Sequence, residues 1–307
     1  MAEYAIEVQN LTKTYGRLRA LDHVSFKVPK GQIYGLVGKN GAGKTTLMRV
    51  LTNQTIGETG EITIFGQSTP QGLNKMRRRS GVMIEIPSFY PFLTARENLE
   101  YYRRQRGIAG KTCIDEVLEQ VELTNTGNKK FKNFSLGMKQ RLGLALALMN
   151  HPELLILDEP VNGLDPEGIV QFRNILIKMN REHQVTIMIS SHILAELQNL
   201  ATHYTFMDQG KILQDISEKD LAALSREHIE IEVDSAEKAA AVLERILGCV
   251  SYEVLPGNKI RVYELLKQPD MIAEALVQND VRLYSMKTNH MNLEDYFIGL
   301  IGGDVNA

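Results

Sequence analysis

Apolar residues in the first two-thirds of the chain follow two patterns that predict strands. Residues 6–8 and 24–28 alternate apolar and polar side chains, which predicts half-buried antiparallel strands. Residues 33–37, 154–157 and 185–190 are apolar runs, which predict strands buried on both faces of a sheet. Buried strands of this kind are typical of parallel sheets covered by helices. The pattern therefore predicts an α/β fold.

Helical spacing characterises a segment between the first and second of these apolar runs. Thr94 is followed three residues later by Glu97, the spacing of a capping box at the start of a helix. Apolar residues at helical spacing continue to residue 121 and return over 142–149. We therefore expect a helical subdomain over about residues 92–150.

The pattern changes near residue 225. The segments that follow read strand, helix, strand, strand, helix, strand, which is the order of a small split βαβ unit. A last helix is predicted over 293–301. We expect two domains, over residues 1–222 and 226–307, and the second shows no catalytic constellation.

A glycine-rich motif lies between the strand predicted at 33–37 and a helix start. It reads G-x-x-x-x-G-K-T, and this strand–loop–helix context predicts a phosphate-binding loop rather than a purely structural turn. Backbone N–H groups and the helix dipole would attract the anion. Lys44 would reach the β- and γ-phosphates, and the Thr45 hydroxyl would bind Mg²⁺. The nucleotide-binding candidates here are Gly38, Lys39, Asn40, Gly41, Ala42, Gly43, Lys44, Thr45 and Thr46.

Two carboxylates end the apolar run at 154–157. The carboxyl ends of strands in an open α/β sheet carry its binding site. Asp158 is therefore expected to hold Mg²⁺ directly or through water, and Glu159 to orient and deprotonate the attacking water. An isolated acidic pair could be an ordinary strand end, but the upstream phosphate loop favours the catalytic interpretation.

Two ring side chains are further candidates. His192 follows the apolar run at 185–190, where it is expected to contact the γ-phosphate, although a lone histidine is more often structural. Tyr15 lies in a turn-like stretch upstream of the phosphate loop. It could stack on a nucleotide base or be an ordinary core or surface tyrosine.

Composition narrows the class of protein. The 307 residues are 43% hydrophobic and 23% charged, which is typical of a globular chain. A net charge of -2 argues against a nucleic-acid binder dominated by positive charge. Two distant cysteines favour free thiols in a reducing compartment. Neither a secretion signal nor a run of about 20 apolar residues is evident, so we expect an intracellular chain.

Together the motifs resemble the nucleotide-binding subunit of ABC transporters over roughly the first two-thirds of the chain. The resemblance also rests on residues 134–141, similar to the family's L-S-G-G-Q signature, the loop 162–165, and Ser191-His192. It implies a P-loop NTPase core of mixed sheet with an antiparallel β subdomain and a helical subdomain. The small C-terminal α+β module resembles an accessory domain of drug-exporting members. ATP and Mg²⁺ are the implied cofactors.

The resemblance implies a dimer that holds two ATP molecules between head-to-tail subunits. Ser135 and Gly137 would contact the γ-phosphate bound to the partner, at the start of a helix that they cap. Asp165 would lie in the loop that couples the two sites. Tyr15 would stack on adenine. The partner would be a second copy of the chain or a paralogue.

Two residues depart from the family pattern. Leu136 replaces the first signature glycine, which would loosen one backbone approach to phosphate or leave the contact to Ser135 and Gly137. Glu85 stands where the family has a glutamine that touches Mg²⁺ or the attacking water, so it is both a catalytic and a metal-binding candidate. The sequence resembles the subgroup for bacitracin and lantibiotic export and immunity in three features, which are the glutamate at position 85, residues 87–91 and the signature. Drift to an acid of similar shape is the alternative.

Two functions follow as hypotheses. The first is an ATPase subunit that drives a separate integral-membrane permease and exports a peptide antibiotic or similar drug. Such a chain would be cytoplasmic and peripheral on the inner face of the membrane. The alternative is a soluble ABC-type ATPase acting on ribosomes or nucleic acid. Those relatives usually carry two ATPase units or a long coiled-coil insert, and this sequence shows neither, so no nucleic-acid partner is expected.

Overall fold

The chain divides into two compact units, residues Met1–Glu218 and Lys219–Ala307. The computed structural model describes residues 3–84, 88–198, 200–224, 227–289, 296 and 299–300.

Strands and helices follow one another along the larger unit. Its strands are β1 (Tyr4–Tyr15), β2 (Leu18–Pro29), β3 (Ile33–Val37), β4 (Thr59–Ile64), β5 (Ser80–Ile84), β6 (Leu154–Asp158), β7 (Thr186–Ser191), β8 (His203–Asp208) and β9 (Lys211–Ser217). Its helices are α1 (Lys44–Leu51), α2 (Pro70–Arg78), α3 (Ala95–Gln105), α4 (Thr112–Gln120), α5 (Leu136–Leu148), α6 (Pro166–His183) and α7 (Leu194–Gln198). Helix α8 (Glu218–Leu224) begins at its last residue.

A six-stranded sheet in the order β5-β6-β7-β3-β8-β9 forms the centre of the larger unit. Neighbours are parallel except β9, which runs antiparallel to β8. Every residue of β3, β6 and β7 is buried, as the continuous apolar runs predict. Val37 pairs with Ser191, and Asp158 pairs with Ser190. The carboxyl ends of these three strands are therefore adjacent.

A second sheet, in the order β2-β1-β4, forms the antiparallel subdomain. Ile6 and Val8 of β1 belong to one apolar cluster with Leu36 of β3 and Leu47 of α1. This cluster joins the antiparallel sheet to the strand and helix that flank the glycine loop. It thereby fixes the loop between two packed elements.

The helical segment between β5 and β6 contains α3, α4 and α5. Helix α3 begins with the predicted capping box: Glu97 N donates to Thr94 Oγ1 at 3.2 Å, and Thr94 N donates to Glu97 Oε2 at 2.7 Å. Helix α5 begins at Leu136, six residues before the predicted helical segment, and Ser135 is its N-cap. The signature residues are therefore the first turn of α5.

The smaller unit has the predicted split βαβ order. Its elements are β10 (His228–Val233), α9 (Ala236–Arg245), β11 (Tyr252–Leu255), β12 (Lys259–Val262), α10 (Pro269–Gln278) and β13 (Leu283–Asn289). The four strands form an antiparallel sheet in the order β11-β12-β10-β13. The sheet has a core of its own, which includes Ile231, Ile260 and Leu276. The predicted helix over 293–301 lies largely outside the described residues.

Candidate nucleotide-binding site

The glycine loop connects β3 to α1 in close contact with neighbouring backbone. A Cβ on Gly38 would lie 2.5 Å from the carbonyl oxygen of Met207, and one on Gly43 would lie 2.5 Å from that of Ala20. Gly43 also has a φ of +109°, in the region that favours glycine. Glycine is therefore required at both ends of the loop, and α1 begins at the next residue, Lys44.

The Lys44 ammonium lies inside this loop and is only 4% exposed. Its Nζ donates to the carbonyl oxygens of Gly38 and Lys39 at 2.7 and 3.2 Å. Glu159 Oε1 lies 3.3 Å from the same Nζ. These oxygen partners offset the cost of burying a cation and fix its position at the loop.

Asp158 is held by two hydroxyl groups. Thr45 Oγ1 donates to Asp158 Oδ2 at 2.7 Å, and Ser190 Oγ donates to Asp158 Oδ1 at 2.6 Å. The Ser190 hydroxyl also accepts a bond from Glu159 N at 2.9 Å. Sequence reasoning missed Ser190, whose one signal is a polar residue at the end of a buried strand. The register of β6 against β7 gives it this role.

The Glu159 side chain lies between the glycine loop and β7. Its Oε2 is 3.0 Å from His192 Nδ1 and accepts from Asn162 Nδ2 at 3.4 Å. Its φ is +45°, which is uncommon outside glycine and asparagine and is found in binding and catalytic sites. The structure thus brings Glu159, His192 and Lys44 together, with Asn162 as a neighbour that sequence reasoning missed.

Two adjoining cavities open beside these groups. The first, of about 580 Å³, has Tyr15 and the glycine loop in its wall together with Glu159. Tyr15 is 45% exposed, so it is not a core residue, and Lys13 Nζ lies 5.1 Å from its ring centre. The second cavity, of about 430 Å³, is lined by Asn40, Thr45, Met83, Gln140, Asp158, Glu159 and Asn162. Both volumes fall within the range of small-molecule sites.

Three further candidates, on the signature turn and the loop 162–165, do not line these cavities. Ser135 is exposed, and its Oγ accepts from Met138 N at 3.3 Å as the cap of α5. Asp165 caps α6, accepting from Gly168 N at 3.2 Å. Neither they nor Gly137 lines either cavity. Glu85 follows β5, whose last residue Ile84 pairs with Asp158, but Glu85 itself lies outside the described residues.

Leu136, the signature residue that departs from the family, contacts the loop after β6. Its side chain is 37% exposed. Its Cδ2 lies 3.1 Å from the place that a Cβ on Gly163 would take, and Gly163 has a φ of +77°. The signature turn and the 162–165 loop are therefore in contact within one subunit.

Comparison with known proteins agrees with this geometry. The family model for the ABC transporter matches residues 21–162. The bacitracin transport ATP-binding protein BcrA of Bacillus licheniformis is 42% identical over 298 residues, covering 97% of each chain. The lantibiotic transport ATP-binding protein SrtF of Streptococcus pyogenes is 43% identical over 208 residues, 68% of this chain and 89% of that protein.

A solved structure shows the same fold. The dimeric structure of a bacterial ABC transporter cassette has a TM-score of 0.63 and 25% identity, covering 69% of this chain and 98% of that chain. No helix among the described residues is long and apolar enough to cross a membrane. The predicted family is confirmed, and relatives named for transport do not favour the ribosome or nucleic-acid alternative. The chain belongs to the ABC transporter family, as one of its ATP-binding, ATP-hydrolysing subunits.

Proposed function

We propose that this ATPase drives export of a bacitracin-like or lantibiotic peptide through a separate membrane permease. The cargo follows from the relatives named for bacitracin and lantibiotic transport. One observation supports the ATPase role most strongly: Lys44, the Thr45–Asp158 pair and the Glu159–His192 pair meet at one place. Attached to such a permease, the chain would lie on the cytoplasmic face of the membrane.

The glycine loop and Tyr15 supply nucleotide binding in this proposal. Loop N–H groups and the start of α1 favour the phosphates, and Lys44 reaches the β- and γ-phosphates. Tyr15 forms part of the same cavity wall, where its exposed ring can stack on adenine. The cavity of about 580 Å³ therefore has an anion-binding side and an aromatic side.

Thr45 and Asp158 fit a magnesium ion, because a hydroxyl and a carboxylate are the hard oxygen donors that it prefers. The described residues contain no group of three or more His, Cys, Asp or Glu side chains that could hold a metal. Two protein donors suffice when phosphates and water complete the shell. When bound there, Mg²⁺ would supply positive charge that neutralises the negative charge developing on the transferred phosphoryl group. Glu85 is added to these proposed Mg²⁺ ligands on the family resemblance alone.

Glu159 is the proposed general base for the attacking water. His192 Nδ1, 3.0 Å from Oε2, and Ser190, which accepts from the Glu159 N–H, hold the carboxylate at the strand tip. Lys44 Nζ lies 3.3 Å from the other carboxylate oxygen, Oε1. With both oxygens held, the carboxylate is oriented before the water arrives, which is how a positioned base contributes to hydrolysis.

Two subunits complete the proposed site, as a homodimer or with a paralogue. Ser135 is exposed, and neither Ser135 nor Gly137 lines either cavity of its own chain. A partner's nucleotide would give them a ligand, and Asp165 would stand in the connecting loop. The proposed domain boundaries, 1–222 and 226–307, leave the whole nucleotide site in the first domain.

Glu159→Gln tests the base. Because general-base catalysis contributes about 10²–10⁴-fold, we expect the ATPase kcat to fall by that factor while ATP binding persists. Light scattering should then show an ATP-dependent dimer that Ser135→Ala weakens. Glu153→Gln is the matched control, since Glu153 is an exposed partner of Arg79 away from the cavities. A Glu159→Gln variant with wild-type turnover would contradict the assignment.

Cargo and permease need a separate experiment. Removing this chain from its cell should raise sensitivity to bacitracin or nisin, and the purified complex should contain a protein with several membrane spans. Unchanged sensitivity with ATPase activity intact would contradict the cargo and leave the ATPase role standing. Co-purified ribosomes or nucleic acid would favour the alternative function.

A further inference from the structure

Gln140 carries a buried side-chain oxygen that is left unpaired within the described part of the chain. The residue lies in α5, is 4% exposed, and its Oε1 has no hydrogen-bond partner among the described residues. A buried carbonyl oxygen normally finds a donor, because leaving it unpaired costs free energy. An apolar residue of the same length would avoid that cost. We therefore expect the amide oxygen to accept a hydrogen bond from a group outside the protein.

The cavity beside Gln140 is the one that contains the proposed cation ligands. Thr45 and Asp158 form part of its wall together with Gln140. The two carboxylates of this wall are already engaged: Thr45 and Ser190 donate to Asp158, and Lys44, His192 and Asn162 surround Glu159. A polar cavity of about 430 Å³ has room for several waters, each with polar partners.

We propose that Gln140 positions a water in the outer shell of the cation held by Thr45 and Asp158 of the same subunit. This inference rests on the proposed function. Rotation about the last side-chain bond of glutamine is soft, so the amide can turn its carbonyl oxygen toward the cavity. A cation-bound water is a strong donor, and an acceptor that orients it strengthens the metal site, as outer-shell groups do elsewhere.

The position of Gln140 in α5 gives this contact a second consequence. Gln140 lies five residues after Ser135, about 7.5 Å along the helix at 1.5 Å per residue. Ser135 is expected to meet the nucleotide of the partner, whereas Gln140 meets the cation of its own subunit. One helix thus contacts both sites of the dimer. Gln140 is a positioning residue in this scheme, because it acts on the cation through water.

Gln140→Met removes the acceptor and keeps the length of the side chain. Binding of a fluorescent ATP analogue would be measured against Mg²⁺ concentration and again with the metal chelated. We expect the Mg²⁺ midpoint to rise about 10-fold, the lower range for outer-shell changes. Affinity without metal should stay at the wild-type value. Gln140→Glu, which keeps an acceptor, should restore the midpoint, and Gln278→Met on exposed α10 should leave it unchanged.

Thermal unfolding without nucleotide separates this role from packing. Because the amide is unsatisfied, Gln140→Met should melt at or above the wild-type temperature. A variant that loses its fold, or that loses metal-free ATP binding equally, would overturn the proposal, as would an unchanged Mg²⁺ midpoint. If the wild-type chain itself shows no Mg²⁺-dependent ATP binding, the proposed function fails. If it does and Gln140→Met matches it, only this inference fails.

Discussion

At the scale of single residues, Glu196 holds the hydroxyl of Ser191, the residue before the site candidate His192. It lies in α7, partly buried, and its Oε2 accepts from Ser191 Oγ at 3.0 Å next to His192. Burial raises the pKa of this carboxyl above its ordinary value of 4.5, and Glu159 acts in the same direction. The Ser191 hydroxyl and His192 oppose the rise. The folded protein therefore holds a proton here more tightly than the unfolded chain.

Glu196→Gln should accordingly change how stability depends on pH. A raised folded pKa contributes stability that is complete below the unfolded pKa and lost as pH rises through the folded value. Glutamine cannot ionise, so the variant should gain melting temperature over wild type at pH 8 and gain less at pH 4.5. Glu182→Gln, on an exposed part of α6, is the control. A gain independent of pH would mean that the ionised carboxylate costs nothing.

The site residues divide by whether their role is local in the chain. Lys44 and Thr45 were selected because they end a glycine loop between a strand and a helix. Asp158 and Glu159 were selected because they end a buried strand, so sequence position was sufficient for all four. Ser190 could not be selected this way, because its bond to Asp158 depends on the register between β6 and β7. Gln140 was missed for the same reason, since it lines a cavity together with residues of α1 and β6. Asn162 lies only three residues from its partner Glu159, but the spacing alone does not reveal that bond.

At the scale of elements, α3 depends on its capping box. The Thr94 N–H lowers the pKa of Glu97, and the Thr94 hydroxyl satisfies the Glu97 N–H in return. Thr94→Ala should cost about 1 kcal/mol in the free energy of unfolding, measured in urea. Thr94→Ser keeps the capping oxygen and should cost less. Equal losses in the two variants would assign the effect to the methyl group.

Element boundaries were harder to predict than element types. The alternating segments 6–8 and 24–28 lie inside twelve-residue strands, β1 and β2. Register shifts between Val8 and Leu11 and again near Lys13 break the alternation that would have revealed the full length. Apolar spacing indicated helix α5 only from residue 142, whereas the family resemblance implied a helix start at the signature, where Ser135 is the N-cap.

At the scale of the whole molecule, the two units have separate cores. The cluster around Leu36 and Leu47 contains only residues of the first unit, and the cluster around Ile231 and Leu276 only residues of the second. The bacitracin transport relative aligns over 97% of this chain, whereas the lantibiotic transport relative aligns over 68%. The site described above lies entirely in the first unit.

A fragment of residues 1–218 should therefore fold and bind ATP with an affinity close to that of the full chain. Cooperative thermal unfolding and nucleotide titration would measure both properties. The same fragment with Lys44→Ala is the matched control, because it should fold and lose binding. A fragment that fails to unfold cooperatively would show that the first unit needs the second to be stable.

The contact between Leu136 and Gly163 makes the residue tolerated at one position depend on the residue at the other. Any side chain at 163 would meet both an unfavourable φ of +77° and the Leu136 methyl group, so the glycine admits no substitute while leucine is present. Glycine at 136 would match the family motif and would remove that methyl group from the contact. A side chain at 163 should therefore cost less free energy when residue 136 is glycine, although the positive φ would still oppose it.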